Sequence, residues 1–206
     1  EEKGEMTALG LDVARGGNDK TCAARRHGTW FDELVQAPGA VTKDGPTAAA
    51  FVAPLVRNGA YIAVDAIGIG SSALDFINGL GLPVCPVVGS EGSPGTDSSG
   101  TLRFKNRRAE MYWRLREALD PTNPKPIALP PDQELLGDLA AVRYKVVQMG
   151  KALAGIQMRD KDEIREVLGR SPDKGDAVAM TFIDGLPAPR NARNSYVEAE
   201  APDWRM

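Results

Sequence analysis

Thr7-Ala8-Leu9-Gly10-Leu11-Asp12-Val13-Ala14 is an apolar run with one carboxylate inside it, followed by the turn-forming residues Arg15-Gly16-Gly17-Asn18-Asp19. A run of this length and composition reads as a strand. An ionised side chain within a buried strand is costly unless an opposite charge meets it. No basic residue lies inside the run, although Arg15 borders it. Two further stretches repeat the situation: Tyr61-Ile62-Ala63-Val64-Asp65, and Asp173-Lys174-Gly175-Asp176 ahead of Ala177-Val178-Ala179-Met180. Acidic residues attached to three separate apolar elements can gather around divalent metal, a hard cation that prefers oxygen ligands.

Working outward from that strand, residues 20–26 can return antiparallel to it. After Gly28, residues 29–35 supply a third strand, giving a meander with Asp12 on its first member. Residues 47–57 read as a helix with Phe51, Val52, Leu55 and Val56 on one face, against which Pro54 is a fault. Residues 60–65 form a nearly continuous apolar strand of the buried, parallel kind. A helix capped by Ser71 or Ser72 follows to about Asn78, then a short strand over 82–88 whose prolines suit an edge. Strands and helices mixed in this order predict an α/β layered fold.

Residues 89–102 are a glycine- and serine-rich loop, long enough to be either functional or disordered. An amphipathic helix over 106–119 carries Met111, Leu115 and Leu119 at fourfold spacing. A short helix runs from Asp132 to Leu139, a β-hairpin pairs 142–146 with 152–158, and a charged helix covers 161–168. Ser171-Pro172 opens the last helix, with serine as cap. Residues 1–6 are expected to be a disordered polar end, 7–186 the folded domain, and 187–206 a mobile tail. The amino end, Glu1-Glu2-Lys3-Gly4-Glu5, resembles no signal peptide and looks like the cut end of a longer chain.

Composition removes several chemistries. The single histidine, His27, and two distant cysteines, Cys22 and Cys85, leave too few ligands for a Cys/His zinc site. A Ser-His-Asp triad would have to use His27. Hydrolysis would therefore rest on carboxylates. No apolar run approaches the roughly 18–20 residues that cross a bilayer, so no membrane partner is expected. The net charge of −3 argues against a strong free-standing nucleic-acid binder. It permits an acidic site that attracts phosphate once metal is bound.

Each aspartate also has a plain structural reading. Asp12 can end a strand, Asp65 can start a turn, and Asp173 can complement a helix dipole. Asp176 lies at the edge of an apolar helical face and shares a side with Asp173. Positive charge is densest at Arg103, Lys105, Arg107, Arg108, Arg114 and Arg116, directly after the loop. Arg143 and Lys145 on the hairpin form a second group. These could track DNA phosphates or simply lie on solvated faces.

Four motifs in order carry a resemblance: residues 12–21, Val64-Asp65-Ala66-Ile67-Gly68, Phe104-Lys105-Asn106-Arg107-Arg108-Ala109-Glu110-Met111-Tyr112-Trp113, and Ser171-Pro172-Asp173-Lys174-Gly175-Asp176-Ala177. Together they resemble the nuclease domain of bacteriophage terminase large subunits, in the RNase H-like superfamily near the RuvC-type resolvases. The resemblance covers about residues 7–186. It implies an RNase H-like mixed sheet, a three-strand antiparallel meander plus parallel strands, flanked by helices, with an added β-hairpin. It also implies a DNA endonuclease using two Mg²⁺ or Mn²⁺ ions, with Asp12, Asp65 and Asp176 as metal-binding catalytic carboxylates. Asp173 would be a further ligand, and Arg103, Lys105, Arg107, Arg108, Arg143 and Lys145 would contact DNA. Gly175 departs from the alanine more usual there, and the second carboxylate is Asp where some relatives have Glu.

The implied partners are double-stranded DNA, a terminase ATPase domain, a small terminase subunit and a portal protein, in the host-cell cytoplasm and outside the mature virion. Residues 16–21 lack the glycine that would complete a phosphate-binding GxxxxGK[ST], so the ATPase itself is not expected here. The rival readings are a RuvC-like Holliday-junction resolvase, a sugar-kinase or actin-like ATPase, and a portal or DNA docking module that does not cut.

Overall fold

β1 (Ala8–Asp12) lies in the middle of the larger sheet and fixes the rest of it. The structure is a computed structural model that describes residues 4–14, 16, 19–150 and 153–189. β2 (Lys20–His27) runs antiparallel to β1 with Leu11 opposite Ala23, as the meander requires. The expected third strand is divided. β3 (Trp30–Phe31) and β4 (Val35–Pro38) pair with opposite ends of β2. Between them the Asp32 carboxylate pairs with Arg25 at 3.0 Å, and Arg25 also donates to the Glu33 carbonyl. β4 thereby takes in residues 36–38, part of them expected as loop. β5 (Tyr61–Asp65) is parallel to β1, and β6 (Val84–Val87) is parallel to β5 at the sheet edge.

α1 (Gly45–Val52) starts two residues early because Asp44 and Thr47 form a reciprocal capping box. It gives way to a 3₁₀ turn over Ala53–Leu55, and that change accommodates Pro54. α2 (Ile69–Gly79) is not capped by Ser71 or Ser72. It starts from Gly68 at φ 69°, and the Ser71 hydroxyl donates to the Gly68 carbonyl. α3 (Arg107–Ala118) is capped by Asn106 and α4 (Gln133–Ala141) by Asp132. α5 spans Lys161–Leu168, as expected, and α6 spans Asp173–Met180. Ser171 does not cap α6; its hydroxyl accepts from Arg165 Nε.

A second sheet has the order β7-β9-β8, from β7 (Arg103–Phe104), β8 (Tyr144–Met149) and β9 (Leu153–Met158). The β8–β9 hairpin matches its pattern; β7 is too short to show one and exists by pairing with β9. The loop over 89–102 is tied down rather than loose. Ser93 donates to the buried Glu110 carboxylate, and Asp97 accepts the Leu102 N–H. Among the described residues no helix is long and apolar enough to cross a membrane. Met6, assigned by sequence to a disordered end, is buried and donates its N–H to Asn58. Residues 1–3, and the part of the expected tail from 190 onward, lie outside the described residues.

The pleat sorts side chains between two apolar layers. Leu9, Leu11, Ile62 and Val64 face α1 and α2. Cys22, Ala24 and Ala63 face the opposite way, toward α3 and α6. Gly10 shares that second face, where a β-carbon would lie 1.9 Å from the Ala177 carbonyl oxygen. By the two-residue period Asp12 follows Gly10, and Asp65 follows Ala63, onto the α6 side.

Gly10→Ala should destabilise the protein by about 1–3 kcal/mol in urea unfolding, because overpacking forces α6 off the sheet. Gly137→Ala, inside α4 with nothing within 4 Å of the new methyl, should instead stabilise by about 0.5–1 kcal/mol.

Candidate metal centre

β1 and β5 run parallel with Leu11 beside Val64, so Asp12 and Asp65 leave the sheet from neighbouring carboxyl ends. α6 crosses the same face and presents Asp173 and Asp176 from its first turn. Asp12, Asp65 and Asp176 line one cavity of about 170 Å³ with Arg108, Tyr112 and Lys161. A neighbouring cavity of about 310 Å³ shares Asp12, Asp65 and Lys161 and adds Asp19, Arg165 and Asp173. Four carboxylates from three separate elements thus converge on one end of the sheet.

Oxygens of Asp176, Asp65 and Asp173 are already engaged. The Tyr112 hydroxyl donates to Asp176 Oδ1 at 2.7 Å, and Lys161 Nζ stands 2.5 Å from Asp176 Oδ2. Asp65 Oδ1 accepts the Ile67 N–H at 3.1 Å, so its turn-forming role and its place in the cavity coexist. Asp173 Oδ2 accepts the backbone N–H of Lys20 at 3.2 Å. Among the described residues no group of three or more Asp, Glu, His or Cys side chains is arranged to hold a metal ion as it stands. The lysine ammonium occupies part of the space between them.

The charges explain why a cation belongs there. Burial pushes the Asp12 carboxyl well above the ordinary carboxylate range; Lys161 opposes this, while Asp176, Asp173 and Asp65 add to it. Burial, helped by Asp19 and Asp176, pushes Asp173 up to about 6. Burial would lower the Lys161 ammonium, but Asp176 and Asp12 outweigh it and hold it above its usual value. Burial and the Asp176 charge push the Tyr112 hydroxyl up, which keeps it a donor. An all-oxygen donor set with excess negative charge and one lysine as partial counterion fits a divalent metal, provided Lys161 moves aside.

No protein-family model matches the sequence, and no curated protein matches it. Solved structures do match. The nuclease domain of the large terminase subunit gp2 of bacterial virus Sf6 aligns with a TM-score of 0.68 at 18% identity, over 88% of this chain and 89% of that one. This chain has the fold of a phage large-terminase nuclease. The large terminase nuclease from thermophilic phage G20c, solved with bound magnesium, gives 0.52 at 16% identity, over 86% and 80%. The Thermus phage P74-26 large terminase nuclease domain gives 0.51 at 15%, over 90% and 84%. A form of the Sf6 domain was solved with manganese, and one of the G20c nuclease with cobalt.

In this terminase-nuclease fold the basic candidates divide. Arg108 reaches the carboxylate cavity. Arg103 and Lys145 belong to the second sheet, Lys105 directly follows β7, and the two-residue alternation places all three on its open face, opposite the buried Phe104 and Ile156. Arg107 pairs with Glu91 at 3.4 Å. Arg143 donates to the Val142 carbonyl and lines a separate cavity with Trp113 and Tyr144. Sequence reasoning missed Lys161 and Tyr112. One begins a charged helix and the other sits in an apolar helical stripe, so neither position carries a local signal.

Asp12 and Asp173 keep protons in the folded state that the unfolded chain releases above roughly pH 4. Stability is therefore fullest below that value and is lost as pH rises through the folded-state values, about 6 for Asp173 and higher than an ordinary carboxyl for Asp12. Asp132 and Glu134, held low, titrate below that window. The metal-free protein should melt several degrees higher at pH 5 than at pH 8 by calorimetry. Mn²⁺ should raise Tm more at pH 8, and Asp12→Asn should raise the metal-free Tm by about 2–5 °C while shrinking the Mn²⁺ effect.

Proposed function

We propose that this chain is the metal-dependent endonuclease domain of a phage DNA-packaging terminase large subunit, hydrolysing DNA phosphodiester bonds to cut concatemeric viral DNA. The observation that carries this reading is the convergence of Asp12, Asp65 and Asp176, from β1, β5 and α6, on one cavity. The terminase-nuclease fold, in relatives solved with manganese, magnesium or cobalt, supports it.

Asp12, Asp65 and Asp176 would hold two Mg²⁺ or Mn²⁺ ions, with Asp173 as an additional ligand. Such a pair, when bound, makes water a better nucleophile and neutralises charge on the leaving oxygen. The chain's own groups prepare the site for this. Tyr112 fixes one oxygen of Asp176 and leaves the other to Lys161 or its replacement. Lys161 balances part of the carboxylate charge before metal arrives, which lowers the cost of folding around an empty site. In the net reaction one water is consumed: its oxygen bonds to phosphorus, the bond from phosphorus to a deoxyribose oxygen breaks, and that oxygen takes a proton.

DNA would lie across the open face of the second sheet, where Arg103, Lys105 and Lys145 supply sequence-indifferent phosphate contacts. With so few such contacts and a net charge of −3, the domain alone should bind weakly. Position along the DNA would be set by the ATPase domain, the small subunit and the portal, acting in the host-cell cytoplasm.

Purified protein should nick and linearise plasmid with Mn²⁺ and stop on chelation. Asp12→Asn and Asp176→Asn should each lose cleavage on the order of 10³-fold, since bound metal is worth several kcal/mol of transition-state stabilisation. Wild-type rates in both variants, with the fold intact by circular dichroism, would sink the reading. Lys105→Glu with Lys145→Glu should weaken DNA binding and flatten the slope of log K against log salt by about 2.

A further inference from the structure

Arg108 is held in an unusual way. It lies in the first turn of α3, and its backbone N–H donates to the Gly89 carbonyl at 3.0 Å, which sets its side chain beside the carboxylate cavity. Nη1 donates to the Arg159 carbonyl at 3.0 Å, just ahead of the helix that carries Lys161. The guanidinium carbon stands 5.2 Å from the centre of the Tyr112 ring, whose hydroxyl holds Asp176. One nitrogen and one face of the group are therefore fixed by groups that belong to the site.

The other edge has no protein acceptor. Nε and Nη2 are both closed off from water and make no hydrogen bond. Leaving a buried charged donor without an acceptor costs about 1–3 kcal/mol or more, and such groups call for an explanation. The neighbouring arginines do not share this state: Arg107 pairs with Glu91, and Arg114 with Glu110 at 3.0 Å. Among the described residues Arg108 makes no ion pair. Nε–H and Nη2–H point the same way from one edge of the guanidinium, a fork that matches two oxygens of one phosphate.

We propose that Arg108 is a catalytic residue that grips the phosphate being cut, its Nε and Nη2, covered in the metal-free protein, being uncovered when Lys161 gives way and donating to the two non-bridging oxygens. This deepens the nuclease reading and rests on it for the identity of the phosphate. Charge on those oxygens grows as the attacking water closes on phosphorus, so the fork binds the transition state more tightly than the ground state. Arg108 thereby acts on the chemical step, whereas Arg103, Lys105 and Lys145 act on DNA binding. Lysine cannot replace it, since a single ammonium offers no fixed fork.

The test uses single-turnover cleavage of a DNA duplex with Mn²⁺, DNA affinity with Ca²⁺, and binding of inorganic phosphate to the Ca²⁺-loaded protein by calorimetry. Arg108→Ala should lower the cleavage rate about 10²–10³-fold, change DNA affinity less than about threefold, and abolish phosphate binding. Arg108→Lys should recover less than about a tenth of the lost rate. Guanidinium ion added to Arg108→Ala should restore part of it. If Arg108→Lys, folded by circular dichroism, cuts at the wild-type rate, or if both variants bind phosphate as the wild type does, the proposal falls while the nuclease reading stands. If the wild type binds phosphate through Arg108 but never cuts DNA, the nuclease reading falls and the phosphate site survives.

Discussion

Mutual repulsion among buried carboxylates is the constraint on which this molecule turns. Asp12 retains only 9% of its accessible surface and shares its surroundings with Asp65, Asp173 and Asp176. Two like charges about 4–5 Å apart repel by roughly 3–4 kcal/mol at an effective dielectric of 20. Three remedies exist: a proton, the Lys161 ammonium, or a divalent cation. The first two are available to the protein alone: burial and the neighbouring carboxylates raise the pKa of Asp12, and Lys161 stands 2.5 Å from Asp176. The third is the remedy that chemistry can use. Repulsion of this kind is what a bound divalent cation would relieve.

The energy that holds the carboxylates together comes from outside the cavity. α6 has no side-chain cap of its own, and α4 supplies the missing acceptor. Buried Asp138 accepts the Gly175 N–H at 3.1 Å and pairs with Arg170 at 2.6 Å. Lys174, on the same turn, pairs with Asp132 at 2.6 Å and Glu134 at 2.9 Å. Glycine at 175 makes sense against this arrangement, because a β-carbon there would sit 3.0 Å from that of Asp138. Gly10 does the same on the sheet side. One helix is thus drawn tightly between β1 and α4, and its acidic first turn is forced toward Asp12.

Positive charge is distributed by task. The second sheet spreads exposed basic residues over an open face, where in the proposed nuclease salt-screened contacts would give affinity without precise geometry. Arg108 is the opposite case, half-buried, fixed at one nitrogen and stacked on a ring. Basic groups gathered on one face would let the proposed nuclease meet an anionic polymer despite a net charge of −3.

The sequence by itself determined the α/β layering, the buried, parallel character of the strand ending at Asp65, the hairpin and the span of α5. Each of these rests on local period or on a run of apolar residues, which the chain carries wherever it is read. Asp12, Asp65 and Asp176 were legible for the same reason, as charges placed where an apolar element makes charge expensive. Other features were decided only in three dimensions. The split of the third strand turns on the Arg25–Asp32 pair, β7 exists through its partner β9, and the roles of Lys161, Tyr112 and Asp138 arise from contacts across 15 to 64 residues of chain. Such groups look ordinary in their own segments, because a side chain's electrostatic work is set by the neighbours that folding brings, not by the residues beside it in the chain.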